Sequence, residues 1–134
     1  MTISKYIANF ISRYSKIQID TNHIKEGSDQ YGMFKSPARD VRRHIDDSCV
    51  ITEYYQFFAK QAATSESERK ESDEWLEELT YWVDDYGLDG HYPNIDGHRR
   101  VVDIEVTGSP TPFEDKDGEI LYQISLSITY EREA

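Results

Sequence analysis

The sequence is poor in cysteine and in basic residues, and it has no long apolar run. A single cysteine, Cys49, excludes an intrachain disulfide and a cysteine-based metal site. Only 15 lysines and arginines oppose 26 aspartates and glutamates, so the formal net charge is −11. This charge argues against a sequence-independent nucleic-acid binder, because such proteins need a basic surface. No stretch approaches the roughly 18 apolar residues that span a bilayer. We therefore expect a soluble protein with no membrane partner, assembled in a reducing cytoplasm.

Aromatic residues, in contrast, are abundant. They make up 13% of the 134 residues and include ten tyrosines. Such a content argues against intrinsic disorder, and the length allows one domain to bury a real core. Residues 1–134 are therefore predicted to form a single domain.

Two segments have the periodicity of helices. In residues 2–14 the apolar side chains recur at helical spacing, and Thr2 is the predicted N-cap. A second helix is predicted over residues 66–86, where Ser65 and Glu68 form a capping box and Gly87 supplies a stop. Its remaining face is acidic and polar, which is typical of a solvated surface.

Six segments have the character of strands: 17–24, 31–34, 41–45, 49–60, 102–107 and 120–130. Apolar residues occupy both faces of the 49–60 segment, which is typical of a central strand covered on both sides, by a helix or by another subunit. Ser36-Pro37 is predicted to end the second strand, and residues 108–118 are predicted to form a loop. The order of elements predicts an α+β fold, a mainly antiparallel sheet of about six strands with two helices packed on one face.

No motif for catalysis or for a cofactor is present, so we expect a protein that is not an enzyme and binds no cofactor. His91 and His98 share a segment with Asp89 and Asp96, but without metal-ligand spacing, and a turn explains them better. Residues 115–119 resemble part of a calcium loop, yet a hairpin turn is the simpler interpretation. The arginines at 39, 42 and 43 and at 99 and 100 are expected to pair with carboxylates, within the chain or across a subunit boundary.

Several stretches resemble a known class of proteins. They are DTNHIKEGSDQYGMFKSPARD at 20–40, ITEYYQFFAK at 51–60, VTGSP at 106–110 and GEILYQISLSITY at 118–130. They resemble the small minor capsid or tail proteins of phages and prophages of Gram-positive bacteria, in the tail-terminator (tail-completion) class. These proteins cap the tail tube where it meets the head connector. The resemblance covers nearly the whole chain.

This resemblance implies a structural virion protein of the tail or neck that assembles as a hexameric ring. Its partners would be other copies of the chain, the tail tube protein and the head-tail connector or neck proteins, with DNA passing through the lumen without specific binding. In such a ring, the outer face of the 49–60 strand, with Tyr54 and Phe58, is expected to meet a neighbour or a loop. Pro110, Pro112 and Phe113 are expected to reach an adjacent subunit or the tube, unless they form an ordinary surface loop.

Three other functions compete with this one. A head-tail connector stopper or neck adaptor would bind the connector without affecting tube length. An acidic DNA mimic that inhibits a host nuclease would array carboxylates along an exposed surface and would have little need for apolar interfaces. An enzyme is the weakest alternative, because the sequence offers no constellation of nucleophile or metal ligands.

Overall fold

One five-stranded sheet organises the chain. The structure is a computed structural model that describes residues 2–26, 29–89, 92–116 and 118–134, with residues 88 and 89 described for the backbone only. The elements are α1 (Ile3–Ser12), β1 (Ile19–Thr21), β2 (Gln30–Arg43), β3 (Cys49–Ala62), α2 (Glu66–Asp89), β4 (Arg99–Lys116) and β5 (Glu119–Arg132). The strand order is β1-β2-β3-β5-β4, and every pair except the parallel β1–β2 pair is antiparallel.

Both helices pack on the same face of this sheet, which confirms the predicted α+β class. The Ser4 hydroxyl of α1 lies 3.2 Å from the Tyr55 hydroxyl of β3. On α2, Asp73 accepts a hydrogen bond from the Tyr122 hydroxyl of β5 at 2.8 Å. The two helices also contact each other, because the Tyr14 hydroxyl donates to the Trp75 carbonyl at 2.9 Å.

The core lies between the helices and the two central strands. Along β3 every second residue from Cys49 to Gln61 is buried, and the intervening side chains are only half-buried. The predicted alternation of β5 is confirmed, since the buried side chains include Ile120, Tyr122, Ile124, Leu126, Ile128 and Tyr130. β3 is also the middle strand of the five, as predicted.

Both helices begin at the predicted capping residues, but α2 ends later than predicted. Thr2 Oγ1 accepts a hydrogen bond from the Lys5 amide at 3.1 Å, and Ser65 Oγ accepts one from the Glu68 amide at 3.2 Å. Gly87 was expected to stop the second helix, yet α2 continues to Asp89. A Cβ at Gly87 would lie 3.1 Å from the Tyr92 hydroxyl, so the glycine serves close packing there.

Within the described residues the sheet has five strands, where about six were predicted. Segments 31–34 and 41–45 belong to one strand, β2, which continues through Pro37 with a register shift between Lys35 and Arg39. β1 pairs only with residues 31–33, so Pro37 lies beyond that pairing, at an edge where its missing amide breaks no ladder. The predicted 17–24 strand is correspondingly short and spans only Ile19–Thr21.

The predicted 108–118 loop is wrong, because β4 runs to Lys116 and pairs with β5 along that length. β4 is an edge strand with several register shifts, which is where a sheet accommodates proline and bulges. One shift lies between Val101 and Asp103 and interrupts the alternation of buried and exposed residues along β4. Val101 is buried, whereas Val102 is 39% exposed.

Neither helix covers the second face of the sheet, which we call the open face. The β3 side chains on this face are half-buried. The strand was expected to be covered on both faces, but the helices of the chain cover only one of them. Within the described residues, no helix combines the length and apolar character needed to cross a membrane.

Candidate interaction surfaces

An aromatic cluster occupies the open face. The rings of Phe34 on β2 and Phe58 on β3 meet edge to face, with centroids 5.3 Å apart. Phe113 on β4 packs against Phe58 at 5.6 Å, also nearly perpendicular. Phe113 nevertheless remains 62% exposed. Phe34 and Phe58 are half-buried, so the exposed apolar area of the cluster is mainly the ring of Phe113.

Tyr54 belongs to the same face but not to this cluster. Its hydroxyl donates a 2.6 Å hydrogen bond to Asp40 Oδ2 on the neighbouring strand. That bond to a carboxylate raises the pKa of Tyr54, because it favours the protonated hydroxyl. The Tyr54 hydroxyl therefore already has a hydrogen-bond acceptor within the chain, on the face that also carries the aromatic cluster.

Pro110 and Pro112 lie on the opposite side of the sheet from Phe113. They line a cleft of about 480 Å³ between α2 and β4, which we call the α2–β4 cleft. Its lining comprises Asp73, Leu76, Glu77, Thr80, Tyr81, Ser109, Pro110, Pro112 and Tyr122. The five residues predicted as an interface are thus divided: Tyr54, Phe58 and Phe113 share the open face, and the two prolines line this cleft.

The rim of the α2–β4 cleft is acidic. Burial and the hydrogen bond to Asp73 raise the pKa of Tyr122 to about 12. Further along the same two elements, the pKa of Glu105 is raised by a hydrogen bond with Asp103 and by repulsion from Asp103 and Asp84. These three carboxylates lie outside the cleft lining, whose own acidic residues are Asp73 and Glu77.

The negative charge is concentrated on one helix. α2 contains ten aspartates and glutamates against only Arg69 and Lys70, so it accounts for eight of the eleven net negative charges. The exposed positions of α2 include Glu66, Glu71, Glu74, Glu77, Glu78, Asp84 and Asp85. The helical layer is therefore strongly acidic, whereas the open face carries the aromatic cluster.

The connection between β2 and β3 exposes charged and apolar side chains at the other edge of the sheet. We call residues 36–48, which join the far ends of β2 and β3, the β2–β3 arm. Among the described residues, no carboxylate lies within ion-pair distance of Arg42 or Arg43. Val41 is 42% exposed and Ile45, at the tip, is fully exposed. The arm thus combines uncovered apolar side chains with charges of both signs. Its three arginines are balanced by Asp40, Asp46 and Asp47, so its formal net charge is zero.

A buried carboxylate anchors the base of the arm. Glu53 on β3 is 3% exposed, and its Oε1 lies 3.2 Å from Lys35 Nζ and 3.4 Å from Arg39 Nε. Its other oxygen, Oε2, is buried and finds no hydrogen-bond partner among the described residues. The expectation that arginines pair with carboxylates is confirmed for Arg39, and likewise for Arg99 with Asp96 and Arg100 with Glu131.

The weaker sites considered in the sequence have ordinary structural roles where they are described. Asp96 Oδ1 accepts hydrogen bonds from the amides of His98 and Arg99, both at 2.8 Å. His91 and Asp117 lie outside the described residues. Lys116 pairs with Glu119 in the β4–β5 ladder, and Gly118 has a φ of +76°, both of which agree with the predicted hairpin turn. The described residues contain no group of three histidines, cysteines or carboxylates placed to hold a metal ion.

Comparison with known proteins places the chain in no family: no protein-family model and no curated protein matches it. Three candidate interaction surfaces are thus present among the described residues: the open face, the α2–β4 cleft and the β2–β3 arm. Each exposes apolar side chains next to fixed charges or hydrogen-bonded groups, which is the usual make-up of an interface.

Proposed function

We propose that this protein is a structural subunit of a phage tail or of a tail-like particle. It ends polymerisation of the tail tube as a ring and joins the tail to the head connector. The observation that supports this most is the contrast between the two sides of the sheet, with an acidic helical layer on one and the Phe34–Phe58–Phe113 cluster on the other. A terminator needs two unlike surfaces, because it binds a tube on one side and a connector on the other.

The charge of α2 fits a ring through which DNA passes. An acidic wall repels the phosphate backbone, so the nucleic acid slides without adhering. α2 carries most of the net negative charge in a single 24-residue helix, so one orientation of the subunit would place it along a lumen. The hexameric state and the virion location are parts of this proposal.

Tube length is the direct test. Purified tube subunits are polymerised with and without this protein, and the length distribution is measured by negative-stain electron microscopy. We expect shorter tubes with a density at one end, and fewer long tubes as the protein is increased. Tubes of unchanged length with bare ends would contradict the proposal.

The same experiment separates terminator from connector stopper or neck adaptor. A stopper binds purified connector and leaves tube length unchanged, whereas a terminator acts on tubes without connector. A pull-down with connector alone, run beside the tube assay, therefore distinguishes the two functions.

The acidic surface of α2 favours a second candidate, a DNA mimic that inhibits a nuclease. Exposed carboxylates at Glu66, Glu74 and Glu78 lie along one helix and could stand in for phosphates. The large exposed ring of Phe113 fits this function less well, since such a mimic needs few apolar contacts. Inhibition of host nucleases that is lost when these three glutamates become glutamines would support the mimic and contradict the terminator.

A further inference from the structure

A second cavity lies on another face of α2, where the first half of the helix meets the end of β3. It has a volume of about 290 Å³, and we call it the α2–β3 pocket. Its lining comprises Asp29, Gln61, Ala62, Glu68, Glu71, Ser72 and Trp75. We infer that this pocket binds an alkylammonium group, that is, a primary ammonium on a short carbon chain. Such a site would be present whether or not the protein caps a tail tube.

The floor of the pocket carries two buried hydrogen-bond acceptors. Ser72 on α2 is 6% exposed, and its hydroxyl has no hydrogen-bond partner among the described residues. Gln61 on β3 is 9% exposed, and its Nε2 donates to the Tyr31 hydroxyl at 3.1 Å. That bond fixes the amide, while its Oε1 finds no donor in the described part of the chain. Because buried polar groups are nearly always hydrogen-bonded, two unpartnered acceptors in one cavity point to a ligand that donates.

Three carboxylates surround the mouth of the pocket. Those of Asp29 and Glu71 are exposed, and that of Glu68 is half-buried. The Asp29 amide donates to the Lys60 carbonyl at 2.8 Å, and Glu68 Oε1 accepts from the Thr64 amide at 3.0 Å, so two of the three positions are fixed. Among the described residues that line the pocket, none is a lysine, an arginine or a histidine. A donor that enters this pocket is therefore favoured when it carries a positive charge.

Trp75 and Ala62 form an apolar wall. The Trp75 Nε1 donates to Ser15 Oγ at 3.2 Å, and the ring packs against Tyr14 and Tyr31 with centroids 5.2 and 5.6 Å away, so the indole is held in place. Indole is the side-chain ring that attracts a cation most strongly. At about 30 Å³ for one water-sized group, the pocket has room for a chain of several carbons with its ammonium.

An ammonium suits these acceptors better than a metal ion does. Among the described residues, no three carboxylates are placed to hold one metal ion. An ammonium has three donors and no acceptor, so it needs only acceptors, which the floor and the mouth of the pocket supply. Two sources provide this group on a carbon chain: a free polyamine, and a lysine side chain of another protein.

Titration with n-butylamine tests the pocket in the full-length protein, because this amine is the lysine side chain without its backbone. We expect saturable shifts of the Trp75 indole and Ser72 amide signals in NMR spectra, with a Kd of about 1 mM. n-Butanol has nearly the same size and no charge, so it should bind at least about tenfold more weakly. Shifts that do not saturate, or equal binding of n-butanol, would overturn the inference.

Single substitutions separate the pocket from the general charge of α2. Glu71→Gln and Ser72→Ala should each weaken n-butylamine binding by about threefold to tenfold, because each removes one acceptor. Glu74→Gln and Ser67→Ala make the same chemical changes at exposed positions of α2 outside the pocket, and they should bind like the unaltered protein. Equal weakening by these controls would count against the site.

The stability of Ser72→Ala is a second readout. The lost hydroxyl has no partner in the described part of the chain, so the melting temperature should remain nearly unchanged. A fall of several degrees would mean that the hydroxyl is bonded within the protein, which would remove Ser72 from the site.

Two further probes distinguish the sources of the ammonium. Putrescine represents a free polyamine, and Nα-acetyl-lysine amide represents the lysine side chain of a protein. Tighter binding of putrescine would assign the pocket to free polyamines, whereas equal or tighter binding of the lysine derivative would assign it to a lysine of another protein. Failure of both probes to shift the Trp75 indole signal would contradict the alkylammonium site.

Discussion

Arg39 and Glu53 are direct partners in the β2–β3 ladder, and Arg39 Nε lies 3.4 Å from Glu53 Oε1. Lys35 approaches the same oxygen at 3.2 Å, so two half-exposed cations serve one buried carboxylate. The arrangement is asymmetric, because the cations can turn to solvent and the carboxylate cannot. Removing the cations should therefore cost more than removing the carboxylate.

The double variant Lys35→Met/Arg39→Met should lower the free energy of unfolding by about 3 kcal/mol, since it leaves an uncompensated buried charge. Adding Glu53→Leu to that variant should recover most of the loss. Urea unfolding at neutral pH measures both steps. Equal stability of the double and triple variants would mean that the Glu53 carboxylate is not held by these two residues.

Buried tyrosines should make the protein sensitive to alkali. Burial of Tyr55 raises its pKa from 10.0 to about 12. Between those values the unfolded chain loses this proton and the folded protein keeps it, so the free energy of unfolding falls as the pH rises. The slope from one such group is at most about 1.4 kcal/mol per pH unit.

Comparison with Tyr55→Phe isolates this contribution from the other groups that titrate there. The difference in stability between the two proteins should be constant from pH 7 to pH 9 and should then change in favour of the variant. Urea unfolding at a series of pH values gives the difference. Parallel curves up to pH 12 would show that Tyr55 ionises alike in both states.

Gly32 is a packing requirement of the open face. A Cβ at this position would lie 2.5 Å from the backbone oxygen of His23, which is too close unless the backbone at His23 shifts. Gly32→Ala should therefore destabilise the fold by about 1–3 kcal/mol. Gly108→Ala is the matched control, because its Cβ would meet Ser125 at an ordinary 3.5 Å and should change stability by less than about 0.5 kcal/mol. Thermal unfolding of both variants makes the comparison, and equal effects would contradict it.

Phe113 should matter more for assembly than for folding. It is 62% exposed and has one ring contact, to Phe58, so Phe113→Ser should cost less than about 1.5 kcal/mol of stability. If the open face binds the tube or a neighbour, the same change should weaken that binding by about tenfold or more. Val102→Ser, at a 39% exposed site on the same strand, is the control and should leave binding unchanged. Tube capping at several protein concentrations provides the measurement, and equal capping by both variants would exclude Phe113 from the interface.

The strongly periodic parts of the fold were predictable from the sequence. The alternation from Ile120 to Tyr130 identifies β5, because a strand with neighbours on both sides and one covered face obeys a strict period of two. The caps at Thr2 and Ser65 were equally readable, since they depend on local hydrogen bonds. Both features are set within a few residues of the chain.

The edges of the sheet were not predictable in the same way. Pro37, Pro110 and Pro112 indicate strand ends locally, yet edge strands tolerate them because the missing amide need not face a neighbour. A register shift between Val101 and Asp103 then places Val101 in the core and leaves Val102 39% exposed. The same error affects the predicted interface. In a loop, Pro112 and Phe113 would lie on one surface, but neighbouring residues of a strand point to opposite faces of the sheet.

The position of β5 between β3 and β4 has a consequence for how the chain folds. The β2–β3 hairpin forms from neighbouring residues, but β3 receives its second partner only after synthesis has passed α2 and β4 and reached Arg132. Until then the most apolar strand of the protein has one unpaired edge, which is the state in which strands aggregate. Such distant pairing also slows folding, so we expect refolding in milliseconds to seconds and lower yields as the concentration of refolding chains rises. Stopped-flow fluorescence of the two tryptophans would measure this rate, and single-phase folding in microseconds would contradict it.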